Sequence, residues 1–266
     1  MIGKFHKLNP ALRKPSARKP FLLVILLVWA LLLLAGFIFS PTDNEGRQRL
    51  PTWVRIGSSC VLVIAGWCWF ATTRIGPVRR YAFLIALGML MGLVGDLLLA
   101  DVIPISEAFV VGMGAFAAGH GFYIVAAAGF GRALGLRRPL LQWTGLAIFL
   151  AIGAGLWYLA VMSGQEMDAL RWATLPYALL LAATAGVGTG LALQDRALVM
   201  LPLGAFLFLA SDLVIAAEKF SGLFFPLIGD FIWFAYGLGQ MLIVYSISSA
   251  MRIAAGRTEP EIPTSH

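Results

Sequence analysis

The segment Phe208-Leu-Ala-Ser-Asp-Leu-Val-Ile-Ala-Ala-Glu-Lys-Phe220 decides the fold class of this chain. It places Asp212 inside a run that is otherwise long and apolar enough to cross a lipid bilayer. An ionised carboxylate in the hydrocarbon region costs roughly 2.5–3.5 kcal/mol on insertion scales, so such residues usually face a cavity or a partner. Asp212 is therefore a candidate functional residue in a membrane-spanning helix.

A second segment of the same kind, LVGDLLLAD at residues 93–101, places Asp96 in the matching position. Aligning residues 87–124 with residues 203–240 without gaps gives eight identities, and the two aspartates form one of these pairs. Apolar helices share Leu and Ala by chance, so the aspartate pair carries more weight than the number of identities. The pattern suggests two parallel four-helix repeats.

The composition is typical of a polytopic helical membrane protein, because 60% of the residues are hydrophobic and only 12% are charged. Continuous apolar runs of about 20 residues exclude a transmembrane β-barrel, whose strands alternate. The net charge of +7 invites a nucleic-acid interpretation, but the basic residues lie in short clusters between the apolar runs. Membrane topology requires such clusters, so we expect the lipid bilayer and no nucleic acid as a partner.

The apolar runs predict an all-α domain of eight membrane-spanning helices at residues 21–251. The first run is longer than a typical signal-peptide core, and we expect it to stay uncleaved. A basic cytoplasmic tail is predicted at residues 1–20 and a polar, disordered tail at residues 252–266. The predicted spans are Phe21–Phe39, Trp53–Thr72, Tyr81–Ala100, Ile105–Phe130, Leu141–Met162, Trp172–Leu193, Leu198–Ala217 and Phe224–Met251.

The distribution of basic residues predicts the orientation in the membrane. One set of alternating loops and tails carries fifteen Lys and Arg residues, whereas the other set carries five. Cytoplasmic loops carry the excess of Lys and Arg in membrane proteins. We therefore expect both termini in the cytoplasm, in a multi-pass protein of the bacterial inner (plasma) membrane.

Further polar residues inside the predicted spans are candidates for substrate binding. His120 and Tyr123 are three residues apart and share a helix face, and Tyr236 and Gln240 are four apart. The alternative for these four residues is hydrogen bonding that holds helices together. Lys219 lies seven residues beyond Asp212, so it is predicted to lie two turns further along the same face. It either reaches the membrane interface with its long side chain or binds an anionic headgroup.

Two other acids are expected to have no role in a site. Asp230 is predicted to reach the membrane interface, and Glu218 is predicted to lie off the Asp212 face and to be solvated. One membrane-embedded histidine cannot form a three-histidine metal site, so we expect no metal and no cofactor. The sequence also contains no serine elbow, no P-loop and no dinucleotide fingerprint. Acid–base chemistry by carboxyl groups near lipid is the chemistry that remains.

Four short motifs follow one another along the predicted spans: Gly95-Asp96, Gly119-His-x-x-Tyr123, Ser211-Asp212 followed by Lys219-Phe220, and Tyr236-x-x-x-Gln240. Together they resemble the YhhN-like lysoplasmalogenase family, over most of the eight-helix core. The resemblance implies a membrane protein that hydrolyses the vinyl ether of lysoplasmalogens to a fatty aldehyde and glycerophosphocholine or glycerophosphoethanolamine. It also implies that Asp96 and Asp212 are the two essential aspartates. The basic amino-terminal tail lies outside the resemblance.

The chemistry of a vinyl ether agrees with this implication, because such ethers are cleaved by acid. One carboxyl group can donate the proton while the other stabilises the resulting cation, and Lys219 is a candidate partner for the phosphate. A proton-coupled small-molecule transporter is the alternative function, since paired intramembrane acids also occur in proton pathways. Its weakness is that a repeat of four spans is parallel and not inverted. A purely structural membrane protein is the third possibility, and the oligomeric state stays open.

Overall fold

A computed structural model describes residues 18–74, 76–162 and 169–256. Within these ranges the chain is all-α, with eight helices that are each long and apolar enough to cross a membrane. This confirms the predicted fold class. The helices are α1 (Arg18–Phe39), α2 (Thr52–Thr72), α3 (Gly76–Leu99), α4 (Ala108–Ala133), α5 (Pro139–Val161), α6 (Ala169–Ala192), α7 (Met200–Ser221) and α8 (Ile228–Gly256).

The predicted spans agree with these helices to within a few residues. The larger differences are at helix ends, where α3 begins at Gly76 instead of Tyr81 and α8 ends at Gly256 instead of Met251. Hydropathy marks the part of a helix that crosses hydrocarbon, whereas the helix itself continues into the polar interfacial region. Residues 1–17 of the predicted basic tail and residues 257–266 of the predicted polar tail lie outside the described residues.

The helices pack both along the chain and between its two halves. Along the chain, α3 packs against α4, α5 against α6 and α7 against α8. Between the halves, α2 packs against α8 and α4 against α6. If α1–α4 form one repeat and α5–α8 the other, α2 corresponds to α6 and α4 corresponds to α8. These last two contacts then correspond to each other, as expected for two parallel repeats. α3 also packs against α8, and this contact brings the helix of Asp96 to that of Tyr236.

Glycines allow α7 and α8 to approach closely. A Cβ atom on Gly204 would lie 2.5 Å from the carbonyl oxygen of Gly239, and one on Gly239 would lie 2.7 Å from the carbonyl oxygen of Gly204. Association of membrane helices depends on this kind of close packing, since lipid tails are as apolar as the side chains. The contact fixes the position of Asp212 on α7 relative to α8.

The loop between α1 and α2 pairs with the segment that leads into α8. The amide of Leu227 donates to the carbonyl oxygen of Gly46 at 2.9 Å, and the amide of Gly229 donates to that of Arg47 at 2.9 Å. These hydrogen bonds join the α1–α2 loop to the start of the last helix at one end of the bundle.

Asp230 at the start of α8 holds the same loop. Its carboxylate accepts the backbone N–H of Arg49 at 2.7 Å and that of Leu50 at 2.8 Å. Asp230 is only 2% exposed. Asp230 therefore does more than reach the membrane interface: it is buried, and it satisfies two amides of a loop that precedes α2. We call this arrangement the Asp230 clamp.

The orientation of the bundle stays a prediction, which rests on the ratio of fifteen basic residues to five. A reporter that is active only outside the cytoplasm is expected to give activity when fused after residues near 45, 103, 166 and 221. A fusion after residue 135 is expected to be inactive. Activity from that fusion would contradict the predicted orientation.

Candidate active site

Asp96 and Asp212 line one cavity with a volume of about 290 Å³. Asp96 is 4% exposed, and Asp212 is partly buried. Residues from α2, α3, α4, α5, α6, α7 and α8 contribute to the lining. The cavity extends to the end of the bundle where the α1–α2 loop lies, because Arg47 and Gln48 of that loop are also among its lining residues. The two aspartates therefore converge, although each belongs to a different half of the chain.

Asp96 accepts two hydroxyl hydrogen bonds on the same carboxyl oxygen. The Ser59 hydroxyl donates to Oδ2 at 2.5 Å, and the Tyr236 hydroxyl donates to Oδ2 at 2.9 Å. The network continues away from the cavity, since Gln240 Nε2 donates to the Tyr236 oxygen at 3.3 Å and Tyr123 donates to Gln240 Oε1 at 2.9 Å. Three predicted substrate-binding residues thus form a chain behind Asp96, and of these three only Tyr236 is among the described residues that line the cavity.

Gly92, one turn before Asp96, makes room for this network. A Cβ atom there would lie 2.6 Å from Gln240 Nε2 and 3.4 Å from the Tyr236 hydroxyl. The matching position in the second half of the chain is Phe208, whose ring packs against Tyr236 and His120. Its centroid lies 5.0 Å from that of Tyr236 and 4.4 Å from that of His120. The two halves therefore differ where the site is built.

His120 is buried and lies outside the cavity lining formed by the described residues. It is 1% exposed, and its Nδ1 is 2.9 Å from the Thr184 hydroxyl on α6. Its Nε2 has no hydrogen-bond partner among the described residues. Although His120 occupies the repeat position that matches Tyr236, the structure does not bring it to either aspartate by a hydrogen bond. Its contacts link α4 to α6.

Asp212 has a different set of neighbours. The Tyr177 hydroxyl donates to its Oδ2. The Ser211 hydroxyl lies 3.3 Å from Oδ1, but the same hydroxyl donates to the carbonyl oxygen of Phe208 at 2.7 Å. A serine hydroxyl has a single proton to donate, so Ser211 cannot serve both acceptors at once.

The charged residues at the outer part of the cavity differ from those that the sequence suggested. Arg47, Arg55 and Glu218 line the cavity, and Arg47 forms an ion pair with Glu218. The side chain of Glu218 is 19% exposed, so the expectation that it is simply solvated is wrong. Lys219 is exposed and is not among the described lining residues. Its Nζ lies over the ring of Phe109, 4.5 Å from the centroid.

Sequence reasoning missed Ser59, Tyr177 and Arg55. Each is a polar residue within an apolar helix, which was the available signal. A single sequence does not say which helices become neighbours, however, so the hydroxyls that reach the aspartates could not be selected. Among the described residues, no three His, Cys, Asp or Glu side chains form a group that could hold a metal ion.

A sequence model of the YhhN family matches residues 52–247, from the start of α2 into α8. The matched part includes both aspartates and the hydrogen-bonded residues around them. Helix α1 and the α1–α2 loop precede it. No curated protein and no solved structure matches the chain.

Proposed function

Because the chain belongs to the YhhN family, we propose that it is a membrane lysoplasmalogenase, a hydrolase that cleaves the vinyl ether bond of lysoplasmalogens. The products would be a fatty aldehyde and a glycerophospho-alcohol. The observation that carries the proposal is that Asp96 and Asp212 line one cavity between membrane-spanning helices. Two carboxyl groups are the kind of catalyst that vinyl ether hydrolysis needs, since proton transfer is its first step.

The reaction adds one water molecule across the bond to be cleaved. A proton first adds to the β-carbon of the vinyl ether, and the ether oxygen stabilises the resulting oxocarbenium ion. Water then attacks the carbon bonded to that oxygen and loses a proton, which gives a hemiacetal. The hemiacetal collapses to the aldehyde and the free hydroxyl of the glycerophospho-alcohol.

The hydrogen bonds support different roles for the two aspartates. Asp96 accepts from two hydroxyls at one oxygen, which suits the carboxylate that stabilises the cation and takes the proton from water. The Ser211 hydroxyl donates to a backbone carbonyl, so its oxygen is free to accept a hydrogen bond from the Oδ1–H of a protonated Asp212. We therefore assign Asp212 as the general acid and Asp96 as its ionised partner.

The remaining lining of the cavity suits the hydrocarbon part of such a substrate. Leu99, Met113, Leu209 and Leu213 contribute apolar surface to this lining. Burial of an alkenyl chain against such residues is favourable, at about 0.8 kcal/mol for each buried CH₂ group. The cavity therefore offers carboxyl groups for the vinyl ether and apolar surface for the alkenyl chain.

The alternative function is a proton-coupled small-molecule transporter that uses the paired aspartates. Alternating access requires a site that opens to both membrane faces. Beside the aspartates, the rings of Phe116, Phe208 and Tyr236 pack edge to face, with centroids between 5.0 and 5.9 Å apart. Phe208 is 1% exposed. A transporter would have to open this aromatic layer in part of its cycle, whereas a hydrolase can keep it closed.

Incubation of the purified protein with a lysoplasmalogen tests the proposal directly. We expect free aldehyde and glycerophospho-alcohol in equal amounts, in proportion to the quantity of enzyme. The matched control is a lysophospholipid with a saturated 1-O-alkyl ether, which has no double bond to protonate and should release no aldehyde. Absence of aldehyde above this control, together with proton-driven uptake of a small molecule by proteoliposomes that contain the protein, would favour the transporter.

A further inference from the structure

Arg55 has hydrogen-bonding capacity that the described residues leave unused. It lies in the first turn of α2 and lines the cavity that holds both aspartates. Its Nη2 donates to the Thr52 hydroxyl at 3.0 Å, and its guanidinium lies over the ring of Trp233, 5.6 Å from the centroid. Its Nε is buried and has no hydrogen-bond partner among the described residues. Because an unsatisfied buried donor costs free energy, such a group needs an explanation.

The charges around the cavity leave Arg55 as the cation without a direct ion pair. The positive charge of Arg47 is matched by Glu218, with which it forms an ion pair. Neither ion pair among the described residues includes Arg55. Asp230 and Asp96 form no ion pair with Arg55 among the described residues. The carboxylate oxygens of Asp230 accept hydrogen bonds from loop amides, and Oδ2 of Asp96 accepts hydrogen bonds from two hydroxyls.

We propose that Arg55 binds the phosphate group of an amphiphilic ligand, the headgroup phosphate of the lysophospholipid substrate. This inference rests on the proposed function, whose headgroup site it identifies. A guanidinium presents five N–H donors in a planar fork that matches phosphate oxygens, and contact with an aromatic ring holds that plane in place. Here the fork lies in the same cavity as the two aspartates. Arg55 thereby takes the role that the sequence suggested for Lys219.

The position of Arg55 also orients the substrate. Arg55 belongs to the first turn of α2, one turn closer to the α1–α2 loop than Ser59, whose hydroxyl donates to Asp96. Asp212 lies more than two turns before the end of α7. A phosphate at Arg55 places the headgroup toward the loop end of the bundle. The vinyl ether, which is attached to the other end of the glycerol, then extends toward the aspartates.

Binding of a lipid that cannot be hydrolysed tests this assignment. The full-length protein is titrated in a maltoside detergent without phosphate, once with a 1-O-alkyl lysophosphatidylethanolamine and once with the corresponding 1-O-alkylglycerol, and bound ligand is counted by native mass spectrometry. The wild-type protein should bind the phosphate-bearing lipid at least about tenfold more tightly. Arg55→Gln should reduce this preference about tenfold while leaving the affinity for the alkylglycerol unchanged. Arg55→Lys, which keeps the charge without the fork, should retain part of the preference.

Arg79→Gln is the matched control. Arg79 also lies over an aromatic ring, 4.3 Å from the centroid of Phe70, and donates to the carbonyl oxygen of Thr73 at 3.2 Å. It is not among the described residues that line the cavity. Its substitution should leave the preference for the phosphate-bearing lipid intact, which separates a specific contact from a general loss of positive charge.

Three results would overturn the assignment. The first is an unchanged preference in a folded Arg55→Gln protein, and the second is loss of the preference in Lys219→Gln alone. The third is displacement of the lipid by inorganic phosphate at the same concentration, which would mean that the site recognises free phosphate. Because the probe lipid cannot be cleaved, an Arg55-dependent preference would support the phosphate site even if the aldehyde assay failed.

Discussion

Asp96→Asn and Asp212→Asn are each expected to lower the rate of aldehyde release by ~10²- to 10⁴-fold, the range that a general acid or base contributes. Asparagine has nearly the volume of aspartate, but it can neither give up a proton nor hold a negative charge. Its amide oxygen can still accept hydrogen bonds, so the Ser59 and Tyr236 hydroxyls keep a partner at position 96. The protein should therefore remain folded while it loses activity.

Initial rates, elution in detergent and thermal stability are the measurements that check this expectation. Asp101→Asn is the matched control, since Asp101 follows α3 and is exposed. Its φ of 53° lies in the left-handed region, which Asn tolerates. This control should keep full activity. If either cavity variant retained activity within about tenfold, a margin of ~1.4 kcal/mol, that aspartate would be structural.

A chemical rescue separates the two assigned roles. Asp96→Ala leaves space where a small carboxylate such as formate can enter the cavity and replace the ionised partner. Added formate should therefore restore part of the activity of Asp96→Ala. It should restore less to Asp212→Ala, because formic acid is almost fully ionised near neutral pH and cannot replace a protonated group. The reverse pattern would exchange the two assignments.

Turnover in deuterated water is expected to give an aldehyde that carries one deuterium at carbon 2. This label follows from protonation of the β-carbon, because the β-carbon of the vinyl ether becomes carbon 2 of the aldehyde. The aldehyde must be reduced to the alcohol as it forms, since slow enolisation would add further label. Mass spectrometry of the trapped alcohol then measures the deuterium content.

The position of the label distinguishes this mechanism from others. Non-enzymatic acid hydrolysis of the same lipid in deuterated water is the positive control and should give the same product. Cleavage of an ester would release a fatty acid without label at carbon 2, and oxidative cleavage would require oxygen and shorten the chain. Full-length aldehyde without deuterium at carbon 2 would contradict protonation by Asp212 even if the substrate assignment held.

The fold was predictable from the sequence because each span is a continuous apolar run, and hydropathy alone locates such runs. The pair Asp96 and Asp212 was also predictable, since acids inside those runs are rare and lie at one repeat register. The hydrogen-bond partners of the two acids were not predictable. Ser59 and Tyr177 belong to helices that approach α3 and α7 only in the folded bundle, and periodicity along one helix carries no information about its neighbours.

Lys219 shows where helix periodicity fails. A spacing of seven residues places it on the same face as Asp212, and this spacing is all that the sequence provides. In the structure, Arg47 of the α1–α2 loop forms an ion pair with Glu218, and both residues line the cavity. Lys219, the next residue along α7, packs over Phe109 instead. The position of Glu218 depends on a contact with a loop that is distant in sequence, and no local pattern indicates such a contact.

The Asp230 clamp bears on how fast the cavity can exchange its contents. Free surface loops fluctuate within nanoseconds to microseconds, but a segment whose amides are held by a buried carboxylate opens only by local unfolding, within microseconds to seconds. The amides of Arg49 and Leu50 should accordingly exchange with solvent as slowly as those of the helices. The loop therefore keeps its position while lipid molecules diffuse past it. If turnover is faster than local unfolding of the loop, substrate and products must enter and leave the cavity without displacing the loop.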